Sequence, residues 1–415
     1  MTRPTVISLF TGAGGLDYGF EAAGFRTAVA LEFDERCVRT LQRNRDWPVI
    51  ARDIESVSTA EVLATAGLSP GEADVLIGGP PCQPFSKSGF WANGDARRLD
   101  DPRAATLGGY LRVVAEARPR AFLLENVEGL GFRGKDEALK LIVEELGRIN
   151  STHATRYSAA VGVLNAADFG VPQLRRRLFI IGARDGTQFR FPSPTHGEPG
   201  NAGFADSVPQ YCTAWDALYD LPDPADSQLD AKGKWAALLP SIPEGENYLW
   251  HTDRGGGEPL FGWRRRYWSF LLKLAKNAPA WTLQAQPGPA TGPFHWKNRR
   301  LSMREMARLQ TFPDDIVVEG TYGDIQLQLG NAVPSLLAEV LARAIRRQLL
   351  GLDDARDRPR LAVAPAKVAP PPPELPQAVP AAYLALRGEH KAHPGTGKGY
   401  RAVARKGHSD VLAAE

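Results

Sequence analysis

The 415-residue chain contains only three cysteines and has a net charge of only +3. Cys37, Cys82 and Cys212 are odd in number and lack metal-ligand spacing, so we expect no disulfide framework, no metal site and a reducing cytoplasm. No apolar run reaches the roughly 18 residues of a membrane span, and no charged and then apolar leader follows Met1. These absences exclude a disulfide-rich secreted protein and favour a protein that does not engage a membrane.

The small net charge conceals an uneven distribution. From Phe261 to Gln310 there are ten Lys or Arg residues and one acid, Glu305. A cluster of one sign usually has a polyanionic partner. Aromatic residues between the cations fit phosphate contact combined with base stacking, namely Trp263, Tyr267, Trp268, Trp281 and Trp296. The alternative is that these rings form the core of a small domain while the arginines are solvated.

Residues 1–184 alternate between apolar runs and helix-like periods, which predicts an α/β fold with a parallel sheet flanked by helices. Helices are expected over Asp34 to Asn44, with Asp34 as the N-cap, and over Asp136 to Ile149. The expected strands are Val6 to Phe10, Ala28 to Phe33, Val75 to Ile77, Ala121 to Leu124 and Leu178 to Gly182.

The regular pattern stops near Arg184. Residues 185–299 are irregular and rich in Pro, Gly and Trp, which predicts a second, smaller domain. Residues 300–350 return to the first domain with a capping box at Ser302 to Glu305 and an amphipathic helix after Pro334. Residues 351–415 carry eight prolines between Pro359 and Pro380 and predict a disordered tail.

A glycine-rich loop follows the first predicted strand. It contains Phe10, Gly12, Gly14 and Gly15, and Glu32 stands 18 residues after Gly14 at the end of the next strand. Glycines let the backbone approach a ligand, and such an acid can bind ribose hydroxyls. The pattern favours a cofactor that contains adenosine, either NAD or S-adenosylmethionine, over a purely structural turn. Asp17 stands where the dinucleotide fingerprint requires a third glycine.

Cys82 follows the third predicted strand and two prolines, in Gly78-Gly79-Pro80-Pro81-Cys82-Gln83. The prolines fix the backbone just before the thiol, so the cysteine is a candidate nucleophile. A small buried cysteine is the alternative.

Glu125 ends the fourth strand at the same carboxyl edge, where open α/β sheets bind ligands. A nucleophile and an acid facing one crevice form a reaction centre, although a lone Glu can also be merely solvated. Before the fifth strand, Gln173, Arg175 and Arg177 share a face. They predict an anchor for a base or a phosphate, or a charged edge without that role.

Six motifs occur here in the order seen in DNA (cytosine-5)-methyltransferases. They are Phe10-x-Gly12-x-Gly14-Gly15, Pro80-Pro81-Cys82-Gln83, Glu125-Asn126-Val127, Gln173-x-Arg175-x-Arg177, Arg304-Glu305 with Arg308 to Pro313, and Gly330 to Pro334. The chain resembles a bacterial-type member over roughly Thr5 to Leu350. The resemblance implies a Rossmann-like methyltransferase sheet, with residues 185–299 as the target-recognition domain.

The resemblance also implies the site residues. Cys82 would attack cytosine C6, Glu125 would assist protonation at N3, and Arg177 with Arg175 would hold the base carbonyl and adjoining backbone. S-adenosylmethionine would be the cofactor. Its implied binding residues are Phe10, Gly12, Gly14, Gly15, Glu32, Asp53, Ile54, Pro81, Asn331 and Val333.

Double-stranded DNA is the implied substrate, held between the two domains with its target cytosine flipped out. A monomer paired in function with a restriction endonuclease is the setting that the resemblance implies. A tRNA cytosine methyltransferase of the same fold is one alternative, which the length of residues 185–299 disfavours. A non-catalytic protein that binds DNA or a nicotinamide cofactor is the other, and it leaves Cys82, Glu125 and Arg177 unexplained.

Overall fold

A computed structural model describes residues 3–81, 104–128, 137–198, 208–262, 268–353 and 356–388. Cys82, Trp263 and Tyr267 lie outside the described residues. The strands are β1 (Thr5–Leu9), β2 (Arg26–Leu31), β3 (Val49–Ile50), β4 (Val75–Gly78), β5 (Ala121–Val127), β6 (Ser158–Asn165), β7 (Gln173–Leu174), β8 (Arg176–Ala183) and β9 (Ala280–Trp281). The α-helices are α1 (Gly15–Ala22), α2 (Glu35–Asn44), α3 (Thr59–Ala66), α4 (Ala104–Ala117), α5 (Glu137–His153), α6 (Ala214–Leu218), α7 (Met303–Leu309), α8 (Tyr322–Asn331), α9 (Ser335–Leu349) and α10 (Ala381–Leu384). Short 3-10 helices span Ile54–Ser56, Ala166–Phe169, Ser227–Leu229, Ala236–Ser241 and Tyr248–His251.

The predicted helix starts agree with the structure at two caps. Asp34 caps α2 by accepting a hydrogen bond from Arg36 N at 2.9 Å. At α7, the Ser302 side chain accepts from Glu305 N while the Glu305 carboxylate accepts from Ser302 N, so the capping box forms. These local signals need no tertiary partner, which is why the sequence alone identifies them.

A seven-stranded sheet has the order β3-β2-β1-β4-β5-β8-β6. The five neighbouring strands β3, β2, β1, β4 and β5 are parallel to one another. Strand β8 is antiparallel to both β5 and β6. The predicted parallel sheet is therefore confirmed over five strands, and the strand predicted over Leu178 to Gly182, now β8, runs antiparallel to them. Only residues 166–175 join β6 to β8, too few for the helical crossover that a parallel pair needs.

Helices cover both faces of the sheet. On one face, α3, α4 and α5 bury Val62, Tyr110 and Leu146. On the other, α1 and α9 bury Phe20 and Leu341. Covering both faces accounts for the near-continuous apolar composition of the central strands. Among the described helices, none combines the length and apolar character needed to cross a bilayer.

The return segment closes against the start of the chain through two glycines. A Cβ at Gly15 would lie 2.3 Å from the Val333 carbonyl oxygen, and one at Gly19 would lie 2.5 Å from the Ser335 carbonyl oxygen. No larger residue fits, so α1 and α9 approach closely. This contact brings residues 331–335 beside the glycine-rich loop, more than 300 positions away in sequence.

Residues 208–299, as far as they are described, contain short elements and long irregular stretches. Part of this region, with α6 and β9, packs on α1, α7 and α8. The remainder surrounds a separate set of buried side chains that we call the outer cluster: Leu238, Leu239, Ile242, Leu260, Leu271 and Phe294. Tertiary packing, rather than regular hydrogen-bonded elements, therefore holds this region together.

The C-terminal segment departs from the expectation of a disordered tail. Residues 356–388 follow a defined course, and Val379, Tyr383 and Leu386 pack against the outer cluster. Their backbone groups are bonded to other parts of the chain; for example, Gln377 N donates to the Pro240 carbonyl at 3.0 Å. Proline-rich composition removes helical and strand periodicity, but it does not prevent docking of an extended chain on a preformed surface.

Candidate active site

The candidate site lies at the carboxyl edge of the parallel strands. Phe10 follows β1, Glu32 follows β2, Pro81 follows β4 and Glu125 lies near the end of β5. Arg177 reaches this edge because β8 runs antiparallel, which pairs Arg177 with Val127. A parallel β8 would have placed its first residues at the opposite edge.

Glu125 and Arg177 form a buried ion pair. Arg177 Nε lies 3.1 Å from Glu125 Oε1, and the two side chains are 15% and 12% exposed. Burial raises the pKa of Glu125, and the Arg177 and Arg175 charges only partly oppose this. Burial also lowers the pKa of Arg177. A carboxyl group with a raised pKa can hold and donate a proton closer to neutral pH, as a general acid requires.

The chain that leads to Cys82 is held beside Glu125. A Cβ at Gly79 would lie 2.8 Å from Glu125 Oε2, so only glycine leaves room for the carboxylate. Asn126 Nδ2 donates to the Pro80 carbonyl at 3.1 Å. The backbone that leads to Cys82 therefore passes beside Glu125, and Pro81 is its last described residue.

Cys37 and Cys212, the other two cysteines, are both buried. Burial raises the pKa of the Cys37 thiol above its ordinary value and that of Cys212 to about 11. Neither group supplies an appreciable amount of thiolate at neutral pH. Since the chain has three cysteines, Cys82 remains as the candidate nucleophile.

Arg175 has a position different from that expected of a base contact. Its guanidinium is fully buried and donates to the carbonyl oxygens of Leu283 at 3.2 Å and Gly330 at 2.7 Å. Gln173, also fully buried, donates to the Leu309 carbonyl at 3.2 Å and accepts from Leu283 N at 3.2 Å. These two side chains join three distant backbone segments, whereas Arg177 faces Glu125.

The glycine-rich loop is anchored by Glu32. Its Oε2 accepts from Gly12 N at 2.7 Å, and its Oε1 accepts from Phe33 N and Asp34 N at 2.9 and 2.8 Å. Burial raises the pKa of Glu32, while these three N–H groups lower it in part. Gly12 and Gly14 have φ of 57° and 86°, a region that favours glycine. Phe10, at φ 53°, adopts the same uncommon conformation without being glycine.

A pocket opens beside this loop. Five of the predicted cofactor residues line it, namely Phe10, Glu32, Asp53, Ile54 and Pro81. Phe33, Arg52 and Thr106 also line it, and sequence reasoning missed them. Phe33 is 61% exposed, and a large exposed aromatic side chain directly after a strand-end acid is the signal that could have revealed it.

The remaining predicted cofactor residues lie around the loop. Gly14 and Gly15 form the start of α1, and the Val333 carbonyl is held against Gly15. The Val333 side chain belongs to the core, while Asn331 is exposed at the end of α8. The Asp53 carboxylate caps the Ile54–Ser56 turn by accepting from Glu55 N at 2.9 Å.

Residues 4–347 match the family of C-5 cytosine-specific DNA methylases. The chain belongs to this family. It is 43% identical over 374 residues to the type II methyltransferase M.SacI of Streptomyces achromogenes, which covers 84% of this chain and 94% of that protein. It is 33% identical over 348 residues to the type II methyltransferase M.NgoFVII of Neisseria gonorrhoeae, which covers 83% of this chain and 86% of that one.

Solved structures agree on the fold. A prophage-encoded Escherichia coli chain described as a DNA modification methyltransferase matches with a TM-score of 0.60 at 24% identity, covering 84% of this chain and all of that one. A DNMT2 mutant from Spodoptera frugiperda matches with a TM-score of 0.58 at 14% identity, over 83% and 99% of the two chains. The family match and the type II relatives confirm the family and the activity of a DNA (cytosine-5)-methyltransferase, and the solved structures confirm the fold.

The described cations of the basic run of this methyltransferase are bonded to other groups of the same chain. Seven of its ten cations are described: Lys273, Lys276, Lys297, Arg299, Arg300, Arg304 and Arg308. Each one bonds within the protein; Lys297 and Arg299 contact Asp223 at 3.0 and 2.8 Å. Arg308 contacts Asp220 at 3.0 Å, and Lys276 pairs with Glu244. Arg299 also pairs with Glu305 inside the run at 2.7 Å, but the other acids come from outside it, so the sequence of the run overstates the charge that these cations offer to a polyanion.

The described aromatic residues of the basic run divide into two groups. Trp296 packs against His295, with ring centroids 4.0 Å apart, and belongs to an interior cluster. Trp268 and Trp281 are 46% and 37% exposed and contact each other edge to face at 5.2 Å. Both interpretations of these rings therefore hold in part: one forms core, and two present aromatic surface beside β7 and β9.

Proposed function

We propose that the chain is a sequence-specific DNA methyltransferase that methylates C5 of a flipped-out cytosine in duplex DNA through a Cys82 adduct, with S-adenosylmethionine as methyl donor. The observation that carries this proposal is the buried Glu125–Arg177 pair beside the backbone that leads into Cys82. The family and the type II relatives support the same chemistry. Protection of DNA in a restriction-modification system is the proposed setting.

In the proposed reaction, the Cys82 thiolate forms a bond to cytosine C6. Glu125 supplies a proton to N3, so the electrons of the C5–C6 double bond become available at C5. The guanidinium of Arg177 holds the Glu125 carboxyl in place and donates to the base carbonyl. After C5 has accepted the methyl group, its proton leaves to a base. The C6–sulfur bond then breaks, which restores the C5–C6 double bond and the thiolate, and N3 returns its proton to the Glu125 carboxylate.

The described residues that line the pocket support S-adenosylmethionine as the cofactor. The Glu32 carboxylate can accept hydrogen bonds from ribose hydroxyls, the exposed Phe33 ring offers a face for adenine, and Phe10 of the glycine-rich loop lines the same pocket. When bound, the cofactor supplies an electrophilic methyl group on a sulfonium. Both Glu32 oxygens also accept hydrogen bonds from the loop backbone. Glu32 would therefore orient the glycine-rich loop and the cofactor together.

Residues 185–299 are proposed as the target-recognition domain, with DNA in the cleft between it and residues 1–184 and 300–350. The exposed rings of Trp268 and Trp281 contact each other and support this assignment. Trp281 pairs with Leu174, which lies in sequence between Gln173 and Arg175. Grafting 185–299 onto a related catalytic domain should transfer the target sequence, read by bisulfite sequencing. A folded and active graft that keeps its host's target would place recognition elsewhere.

Covalent trapping tests the nucleophile. With duplex DNA that contains 5-fluorocytosine, the C5 substituent cannot leave as a proton, so the enzyme should remain bound as a denaturant-resistant adduct. Trapping should require S-adenosylmethionine, and Cys82→Ser should abolish it while duplex binding persists. Cys212→Ser serves as the matched control and should still be trapped. An adduct formed by the Cys82→Ser protein would disprove the mechanism, and methyl transfer to tRNA in preference to duplex DNA would disprove the substrate.

The cofactor site is tested by calorimetry. Glu32→Ala should weaken S-adenosylmethionine binding by at least about tenfold, since it removes the ribose acceptor and three N–H contacts of the loop. Duplex DNA binding should change far less. Unchanged cofactor affinity would remove Glu32 from the site.

A further inference from the structure

The segment at residues 356–388 spans two parts of the molecule. It begins beside α9 and ends on the outer cluster, and it lies beyond residues 4–347 that match the family. Contacts hold it at both ends and in the middle. A segment fixed to two bodies can determine how they are placed relative to each other.

The first anchor is the Glu339 carboxylate of α9. This side chain is fully buried, and its two oxygens accept from Arg360 N at 2.6 Å and Leu361 N at 2.8 Å. Leu361 also packs against the apolar cluster around α9. Charge-assisted bonds to a buried carboxylate are among the stronger hydrogen bonds in proteins. The segment is therefore firmly attached to the sheet side of the molecule.

A second set of contacts involves α6. The indole of Trp215 donates to the Val368 carbonyl at 2.8 Å, and Ala366 N donates to Asp216 Oδ1 at 2.8 Å. Helix α6 packs on α7, which belongs to the return segment at residues 300–350. Up to Val368, the segment thus follows the part of the molecule that carries the candidate active site.

The third anchor lies on the outer cluster. The Tyr383 ring stacks on Trp235, with centroids 5.8 Å apart and planes 20° apart, and its hydroxyl donates to the Lys234 carbonyl at 2.7 Å. Val379 precedes and Leu386 follows Tyr383 in the sequence, and both pack against the outer cluster. Arg387 adds an exposed ion pair with Glu258 at 2.8 Å. The end of the segment is therefore part of the packing of this region.

Between these anchors the chain is stiff and complementary in charge to its support. Pro370 to Pro373 are consecutive, and polyproline segments are extended and lose little entropy on docking. Glu374 then lines a cavity together with Lys273 and Lys276 of the second domain. Burial lowers the pKa of Lys273 to about 8, whereas the Glu244 and Glu374 charges raise it.

We propose that residues 356–388 form a brace that fixes the outer cluster against the sheet and so holds the DNA cleft in its binding-competent arrangement. The proposal rests on the proposed function in one respect, that DNA lies in this cleft. The brace is a positioning element, since none of its described residues lines the candidate cofactor pocket. Its stiffness is what matters, because a slack connection would keep every anchor but lose the fixed placement.

Adding slack tests the brace. A Gly-Ser insertion of about six residues between Ala369 and Pro370 keeps all anchors but makes their connection flexible. If only about a tenth of the molecules then hold the competent arrangement, the KM for duplex DNA rises about tenfold, while kcat at saturating DNA stays within about twofold. The dissociation constant of S-adenosylmethionine should not change. The same insertion after Gly388, beyond the last anchor, is the matched control and should behave as wild type.

A distance measurement makes the result independent of catalysis. Spin labels at Val143→Cys on α5 and Asp253→Cys near the outer cluster, both exposed positions, are placed in the Cys82→Ser background. The insertion should broaden the distance distribution, and the control insertion should not. An unchanged KM overturns the proposal whether or not the distances broaden. If the chain proves inactive on DNA, the proposed function fails by itself, and a distribution as narrow as that of the control overturns the brace.

A second pair of variants covers the case in which the insertion impairs folding. Glu339→Ala removes both acceptors of the first anchor, whereas Glu339→Gln retains one carbonyl oxygen. The brace predicts a raised KM for Glu339→Ala and partial rescue by Glu339→Gln at equal cofactor affinity. Equal KM values for both variants and wild type would overturn it.

Discussion

At the carboxyl edge of the sheet, Glu125 and Arg177 are buried as a pair, and burial shifts both pKa values toward the neutral forms. In the basic run from Phe261 to Gln310, far more charge is present, yet every described cation is satisfied by an acid or a carbonyl of the same chain. The Lys276–Glu244 pair of the basic run is buried as well, but only the Glu125–Arg177 pair lies at the carboxyl edge of the parallel strands. Abundance of charge in the sequence therefore indicates less about function than the placement of a few charges.

The largest expected effect tests the buried pair. Glu125→Gln should lower kcat by about 10²- to 10⁴-fold, because the amide cannot donate an acidic proton to N3. Cofactor affinity should be retained. Glu128→Gln is the matched control, since Glu128 pairs with Arg176 at 3.1 Å in an exposed setting. Similar rates for the two variants in single-turnover assays would show that burial of Glu125 is not what makes it functional.

The buried carboxyl group of Asp17, outside the candidate site, should make the free energy of unfolding depend on pH. Burial raises the pKa of Asp17 from 3.8 to about 7, although Ser8 Oγ donates to it at 3.0 Å. Since the folded pKa is the higher one, its contribution to stability is complete below about pH 4 and is lost as the pH rises to about 7. The loss amounts to roughly 4 kcal/mol.

The measurement is the free energy of unfolding in urea across this pH range. Asp17→Asn should remove the corresponding decline, whereas Glu55→Gln, at an exposed carboxyl, should retain it. Parallel curves for wild type and Asp17→Asn would mean that Asp17 is ionised throughout.

Arg175 and Arg177 should separate stability from catalysis. Arg175→Met removes the donors to the Leu283 and Gly330 carbonyls and should lower the free energy of unfolding by about 3 kcal/mol. Arg177→Met should reduce kcat strongly and lower the free energy of unfolding less than Arg175→Met does, since the partner of Arg177 is Glu125. Thermal melts and steady-state rates of both variants decide this. Full stability with lost activity in Arg175→Met would restore Arg175 to a contact with the base.

The smallest effect belongs to the exposed members of the basic run. Lys297→Gln and Arg304→Gln should each change the free energy of unfolding by less than about 1 kcal/mol. Because Asp223 and Asp314 already pair with these cations, the slope of log affinity for duplex DNA against log salt should stay as in the wild type. A slope that is shallower by about 0.9 in either variant would show that the cation leaves its partner for a phosphate.

Local sequence signals determined much of the first domain. The caps at Asp34 and Ser302, the apolar strands, the glycine-rich loop and the motif around Glu125 depend on neighbours within a few residues, so they are legible without the fold. The family resemblance added the cofactor residues, and five of these line one pocket. Cys82 lies outside the described residues, so its role stays a prediction.

Tertiary structure alone decided three matters. The antiparallel direction of β8 brought Arg177 to Glu125, and strand direction is not written in the apolar pattern of a strand. Arg175 and Arg177 look alike in sequence, but only one is surrounded by backbone carbonyls. The proline-rich segment at residues 356–388 donates hydrogen bonds to Glu339 and stacks Tyr383 on Trp235, both of which are distant from it in sequence. In each case the deciding contacts join residues far apart in the chain, and the sequence carries no local trace of such contacts.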